Sequence, residues 1–148
     1  MTADNFLMEV LTASVQYAGS STVQVNNALY QAVGNEVLRS VKMDWAEVGY
    51  GAYSYSAFAV TVAPDGMAPS NIYYGNAIPM VAEPHYQIMT GVIPHADKAA
   101  GPSANHGSDD MEMQIQLHPG DVIYLSVRSN FTDADGYQVF QVTLQLEG

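Results

Sequence analysis

Strict two-residue alternation is the feature that most limits what this chain can fold into. Over residues 111–118, Met111, Met113, Ile115 and Leu117 interleave with Glu112, Gln114, Gln116 and His118. Successive side chains of an extended chain point to opposite faces, so this order specifies a strand with one dry face and one wet face. The same period returns near the C-terminus, where Phe140, Val142, Leu144 and Leu146 alternate with Gln141, Thr143 and Gln145. Between these two segments, residues 121–129 are rich in Val, Ile and Tyr and follow His118-Pro119-Gly120-Asp121, whose Pro-Gly pair suits a tight turn. Asp133-Ala134-Asp135-Gly136 supplies the next turn. The three segments read as consecutive antiparallel strands.

The upstream half repeats the logic. Val37, Val41, Met43 and Trp45 share a face opposite Ser40, Lys42 and Asp44, which predicts a long strand over 36–48 with Trp45 anchoring the core. Residues 53–63 form another strand, aromatic at its start and stopped by Pro64-Asp65-Gly66. Shorter strands are expected over 72–74, 78–82 and 85–92, and Val23, Val25, Leu29 and Val33 allow one more. Residues 5–17 fit either a helix face (Leu7, Leu11, Val15) or a strand (Leu11, Ala13, Val15, Tyr17). About eight short strands without a long helix predict an all-β fold, an antiparallel β-sandwich or barrel, and disfavour a parallel α/β enzyme. The expected core is Val41, Met43, Trp45, Val60, Ile115, Leu117, Ile123, Leu125, Phe140, Val142 and Leu144. Residues 94–110, rich in Ala, Gly, Ser and His and without periodicity, read as an exposed loop. The whole chain, 1–148, reads as one domain.

Charge narrows the function classes. Four Lys plus Arg against fifteen Asp plus Glu give a net charge of −11, a field that repels phosphate and anionic lipid, so direct nucleic acid binding by the folded domain is not expected. No apolar run approaches the roughly 18 residues of a membrane helix and no charged leader opens the chain, so no membrane insertion is expected. The chain has no Cys, which removes disulfides and thiolate chemistry. Charged residues are only 13% of the chain, about half the usual share, while Tyr numbers ten and Met eight. Interface cores are enriched in aromatics and Met and depleted in Lys, Glu and Asp, so the composition favours a homo-oligomer.

Motifs for chemistry are sparse. His85, His95, His106 and His118 match no metal-binding spacing and read as solvated turn residues. Asp133-x-Asp135-Gly136 resembles the start of a calcium loop, making Asp133 and Asp135 candidate metal ligands. The Glu expected near the loop's twelfth position is absent, and a hairpin turn explains the same residues. Asp109 and Asp110 are adjacent carboxylates that point apart on an extended chain. No nucleophile elbow, P-loop or dinucleotide fingerprint occurs, so neither enzymatic activity nor a cofactor is expected. Tyr50, Tyr53, Tyr55, Tyr73 and Tyr74 are the candidate interface residues, and Tyr50, Tyr53 or Tyr73 could instead stack on sugars.

The order of features, from Val37-Leu38-Arg39-Ser40-Val41-Lys42-Met43-Asp44-Trp45 to the closing run Leu117-His118-Pro119-Gly120-Asp121-Val122-Ile123-Tyr124-Leu125, resembles a viral jelly roll. Specifically, it is similar to single-jelly-roll capsid proteins of tailless icosahedral viruses. The resemblance covers residues 22–148. It implies a virion shell subunit assembled in the host cytoplasm, whose partners are other copies of itself and, in some shells, a second capsid protein. Many such proteins carry a basic N-terminal arm, yet residues 1–35 contain no Lys or Arg, so the resemblance implies genome contact through another component, an internal membrane or counterions. Residues 1–21 are read as an arm that exchanges between copies. A trimeric adhesion or ligand module of the tumour-necrosis-factor or complement type, and a carbohydrate-binding module with a glycan partner, are the alternatives that share an all-β sandwich.

Overall fold

Each alternating segment is a strand in the computed structural model, which describes residues 8–18, 23–48, 55–70, 73–75, 78–80, 84–94, 104–129 and 137–148. The strands are β1 (Met8–Ala18), β2 (Val23–Gln31), β3 (Glu36–Val48), β4 (Tyr55–Ala63), β5 (Tyr73–Gly75), β6 (Ile78–Met80), β7 (Tyr86–Pro94), β8 (Ala104–Leu117), β9 (Val122–Ser129) and β10 (Tyr137–Glu147). Two four-stranded antiparallel sheets hold eight of them, in the orders β1-β10-β3-β8 and β2-β9-β4-β7, while β5 and β6 form a small hairpin. The pairings nest: β1 with β10, β2 with β9, β3 with β8 and β4 with β7. A long ribbon of four such pairs has been rolled up and closed by β10 against β3 and β9 against β4. This is the strand order of a jelly roll.

The two inner faces make the core. Leu38, Val41 and Met43 from β3 and Phe140, Val142, Leu144 and Leu146 from β10 meet Phe58, Val60 and Val62 from β4 and Ile123, Leu125 and Val127 from β9. Phe58 and Phe140 touch across the sandwich, ring centroids 6.1 Å apart and tilted by 56°. The β3 face differs from the alternation in one respect: Leu38 is fully buried in place of Val37. The cause is a register shift between Leu38 and Ser40 against both β8 and β10, where an extra residue flips the face. Arg39, at the irregularity, places its Nε 2.7 Å from Glu147 Oε2.

Trp45 and Ile115 are only partly buried and pack on the rim of the core, so Trp45 is not its anchor. The Trp45 ring lies across Gly107, its register partner on β8, where a Cβ would overlap it. That pairing also corrects the expected loop over 94–110. Pro94 ends β7, and residues 104–110 are the first half of β8, held by the backbone of β3 although their polar side chains lack a period. The stretch 5–17, open between helix and strand, contributes β1, an edge strand paired with β10 of its own chain. Phe58 repeats the ring-over-glycine arrangement on the other sheet, lying over Gly91 of β7.

From Ala57 to Ala63, strand β4 has no wet face. Ala57, Ala59, Thr61 and Ala63, which point away from the core, are all 0% exposed. The segment after β4 folds back over them: Asn26 Nδ2 donates to Pro69 O at 2.9 Å, the Tyr124 hydroxyl donates to Gly66 O at 2.8 Å, and β6 packs along β4 and β7. Gly66 adopts a φ of 74°, which starts this return with a bond from its N–H to Ala63 O.

The two ring-over-glycine pairs yield a graded prediction. Phe58 is enclosed, so Gly91→Ala should destabilise by about 2–3 kcal/mol through overpacking. Trp45 can swing outward, so Gly107→Ala should cost about 1 kcal/mol. Gly34, with nothing within 4 Å of an added Cβ, should tolerate Ala within about 0.5 kcal/mol. Urea midpoints of the three variants check the order, and equal losses at Gly91 and Gly34 would refute it.

Candidate functional site

Two features of the described surface stand apart from its polar background. The first is the end of the sandwich where the β2–β3 and β8–β9 turns meet. These turns are stitched together: Ala32 N–H donates to Asp121 O and Gly120 N–H to Ala32 O, each at 2.8 Å. Gly120, at φ 93°, takes the left-handed position of its turn. The buried Asp121 carboxylate accepts the His118 N–H at 2.9 Å. In the facing turn, Glu36 accepts from Val33 N–H at 3.1 Å, from Gly34 N–H at 3.4 Å and from the Tyr30 hydroxyl. A turn this well tied still presents Val33 87% exposed, beside a depression of about 250 Å³ lined by Tyr30, Asn35, Glu36 and Leu146. Met67, 67% exposed, stands on the neighbouring connection.

That connection is clasped at its base. Asp65 Oδ1 accepts the Met67 N–H at 3.0 Å and lies 2.8 Å from His85 Nε2, joining the residues just after β4 and just before β7. The Met67 N–H first, and the His85 ring second, hold the Asp65 carboxyl below the usual range. Nearby, burial and then the Asp121 charge push the Tyr86 phenol up.

The second feature is the side of the sandwich where β7 and β8 are edge strands, with no further strand paired to them among the described residues. Met111 projects from β8, and with Gln87, Ile88, Met89 and Thr90 of β7 it lines a shallow depression of about 240 Å³. Met111 and Tyr86 are 42% and 38% exposed. Asp109, Asp110 and Glu112, all exposed, flank Met111. Charges on an edge strand oppose indiscriminate strand pairing, so this edge is guarded by repulsion.

The residues nominated from sequence fall mostly elsewhere. Ala18, Tyr137, Val48 and Ala104 are level with one another in the first sheet, as are Val23, Ser129 and Ser56 in the second, with Tyr55 opposite Pro94. Four connections therefore leave and re-enter the sheets at the end opposite Val33. Tyr50, Tyr53, Asp133, Asp135 and His95 belong to those connections and lie outside the described residues. Tyr55 begins β4, and Tyr73 and Tyr74 pair with Met80 and Pro79 in the β5–β6 hairpin, so these three do not share one strand or one sheet. Of the histidines, His85 joins the Asp65 clasp, His118 sits in the β8–β9 turn and His106 pairs with Ala46 in β8. Among the described residues, no group of three His, Asp or Glu is arranged to hold a metal ion. Val33, Met67 and Met111 were missed by the sequence reading; the signal available was an apolar residue placed beside a turn glycine or amid carboxylates.

No family model matches the chain, and no curated protein matches it. Among solved structures it is similar to dimeric latent PorU from Porphyromonas gingivalis, over 97% of this chain, at 7% identity and a TM-score of 0.50. The chain spans only 13% of the length of that protein, and the likeness concerns fold alone. Eiger TNF from S. frugiperda is matched over 88% of this chain and 91% of that one, at 8% identity and a TM-score of 0.34. A chain of Desmodium yellow mottle tymovirus is matched over 97% and 88%, at 13% identity and a TM-score of 0.32. The last two scores fall below the level at which a shared fold is inferred.

The clasp gives a pH prediction. A carboxyl whose folded value lies below its ordinary 3.8 contributes stability that is present above that value and lost as pH falls through the folded one. Asp65→Asn should therefore lower the urea midpoint at neutral pH, and the gap to the parent chain should close as pH falls below 3.8. A gap that stays constant with pH would show that the Asp65 charge does not contribute.

Proposed function

We propose that this chain is a structural subunit of a virion shell, a jelly-roll coat protein that assembles with copies of itself through apolar contacts. The observation that carries the reading is the exposure of large apolar side chains on two separate faces of a tightly packed sandwich. Val33 and Met67 stand at one end, and Met111 stands on the β7–β8 side. A binding module needs one such face for one ligand, whereas a shell subunit has different neighbours on different sides. The jelly roll is an architecture used by viral capsids, and a chain with 13% charged residues and ten Tyr has the composition of an interface-rich surface.

In this reading the apolar and Tyr contacts supply association energy, while a net charge of −11 on each copy opposes close approach. The carboxylates beside Met111 make that opposition local. Salt screens it, since the Debye length falls from about 10 Å at 0.1 M to about 3 Å at 1 M. Light scattering of the purified chain across salt concentrations, with negative-stain images of the same samples, should show pentamers, hexamers or closed particles that grow with ionic strength. Particles that dissociate on adding salt would defeat the electrostatic account. A chain that stays a monomer or stops at a trimer at every salt concentration would overturn the shell reading in favour of a binding module.

Met111 is the residue to alter. Because it is half exposed and lies beyond the core, Met111→Asp should change folding stability by less than about 0.5 kcal/mol. Association should weaken strongly at every salt concentration. Sedimentation velocity reads the second quantity and urea denaturation the first; unchanged sedimentation would remove the β7–β8 side from the contact.

A further inference from the structure

We propose that Thr61 and Gln87 hold one internal water molecule between them, beneath the segment that covers the outer face of the second sheet. Thr61 is 0% exposed and its Oγ1 has no hydrogen-bond partner; Gln87 Nε2, also buried, has none either. The two residues are register partners across β4 and β7, which places their side chains on the same face. No direct bond joins them. The ladder slips by one residue between Val60 and Thr61, so Ile88 is left over on β7 and the pair meets at an irregularity. A threonine hydroxyl extends one bond beyond Cβ and cannot follow a displaced partner.

The neighbouring hydroxyls are committed elsewhere. Tyr124, opposite Thr61 on β9, donates to Gly66 O at 2.8 Å, and the Ser126 hydroxyl donates to Asn26 Oδ1 at 2.6 Å. The groups flanking Thr61 on its own face, Ala59 and Ala63, are methyls that leave room and offer no polar atom. One hydroxyl and one amide N–H, on register partners of adjacent strands, are thus left without a protein partner. A water accepts from the Gln87 amide and exchanges a bond with the Thr61 hydroxyl, and internal waters occupy such sites when two or more polar partners converge. The covering segment is held to β2 and β9 by the Asn26 and Tyr124 bonds, and to the residue before β7 by the Asp65–His85 contact, so it is fixed on both flanks of β4.

The sign of a stability change tests this in the full chain. If both atoms sit dry and unpartnered, Thr61→Val removes an uncompensated polar group and raises the urea midpoint. If they share a water, Thr61→Val or Gln87→Met alone breaks a satisfied network and lowers the folding equilibrium constant about five- to tenfold. The double variant, which leaves an apolar site, then returns towards the parent value. Stabilising or additive single replacements would overturn the proposal. A crystal structure of the unaltered chain that shows ordered solvent gives a readout independent of variant folding. One water bonded to both side chains is expected, and a direct Thr61–Gln87 bond or a dry contact would refute it.

Discussion

Everything in this molecule depends on the apolar contact between the inner faces of two sheets, which the Phe58–Phe140 pair spans. Each ring comes from a strand paired on both sides, β4 and β10, so each is fixed by ladders that it helps to hold in place. The period-two pattern exists to feed this layer. The departures from regularity are concessions to it: the slip at Leu38 and Ser40 restores an apolar residue to the inner face, and Gly91 clears space so that the Phe58 ring can lie flat. Interiors packed at crystal-like density leave no slack for a methyl in such places.

Much of this was legible in the sequence, and the parts that were not fail for identifiable reasons. The bounds of β3 follow directly from alternation and flanking turns, and the inner faces of β9 and β10 were correctly assigned. The first half of β8 was misread as a loop because Asn105 to Asp110 has neither apolar period nor β-branched residues; its strand character comes from β3, which no local pattern reports. Trp45 was placed in the core by its size, whereas its position opposite an edge glycine keeps it at the rim. Cover over the outer face of β4 left a visible trace in the small side chains of Ala57, Ala59, Thr61 and Ala63, since only such residues let another layer of chain approach closely. Exposed Val33 and Met111 left only a weak trace, an apolar residue beside a turn glycine and another amid carboxylates, because the sequence does not say whether anything packs on such a residue.

Acidity and apolar exposure act against each other on this surface, and their balance is uneven. At the Val33 end the nearest carboxylates, Glu36 and Asp121, are consumed by backbone and hydroxyl donors of their own turns. At the β8 edge Asp109 and Glu112 are exposed and flank Met111. The first face thus offers apolar contact with little local repulsion, and the second offers it under a screenable charge.

The nesting of strands also governs how quickly the chain can fold. The last two long strands in sequence, β9 and β10, each occupy an interior position in a sheet, with β10 between β1 and β3 and β9 between β2 and β4. Until β10 is in place, β1 and β3 have no strand between them and the first sheet cannot close. Folding of both sheets therefore waits on pairings between strands far apart in sequence, which slows closure of this topology.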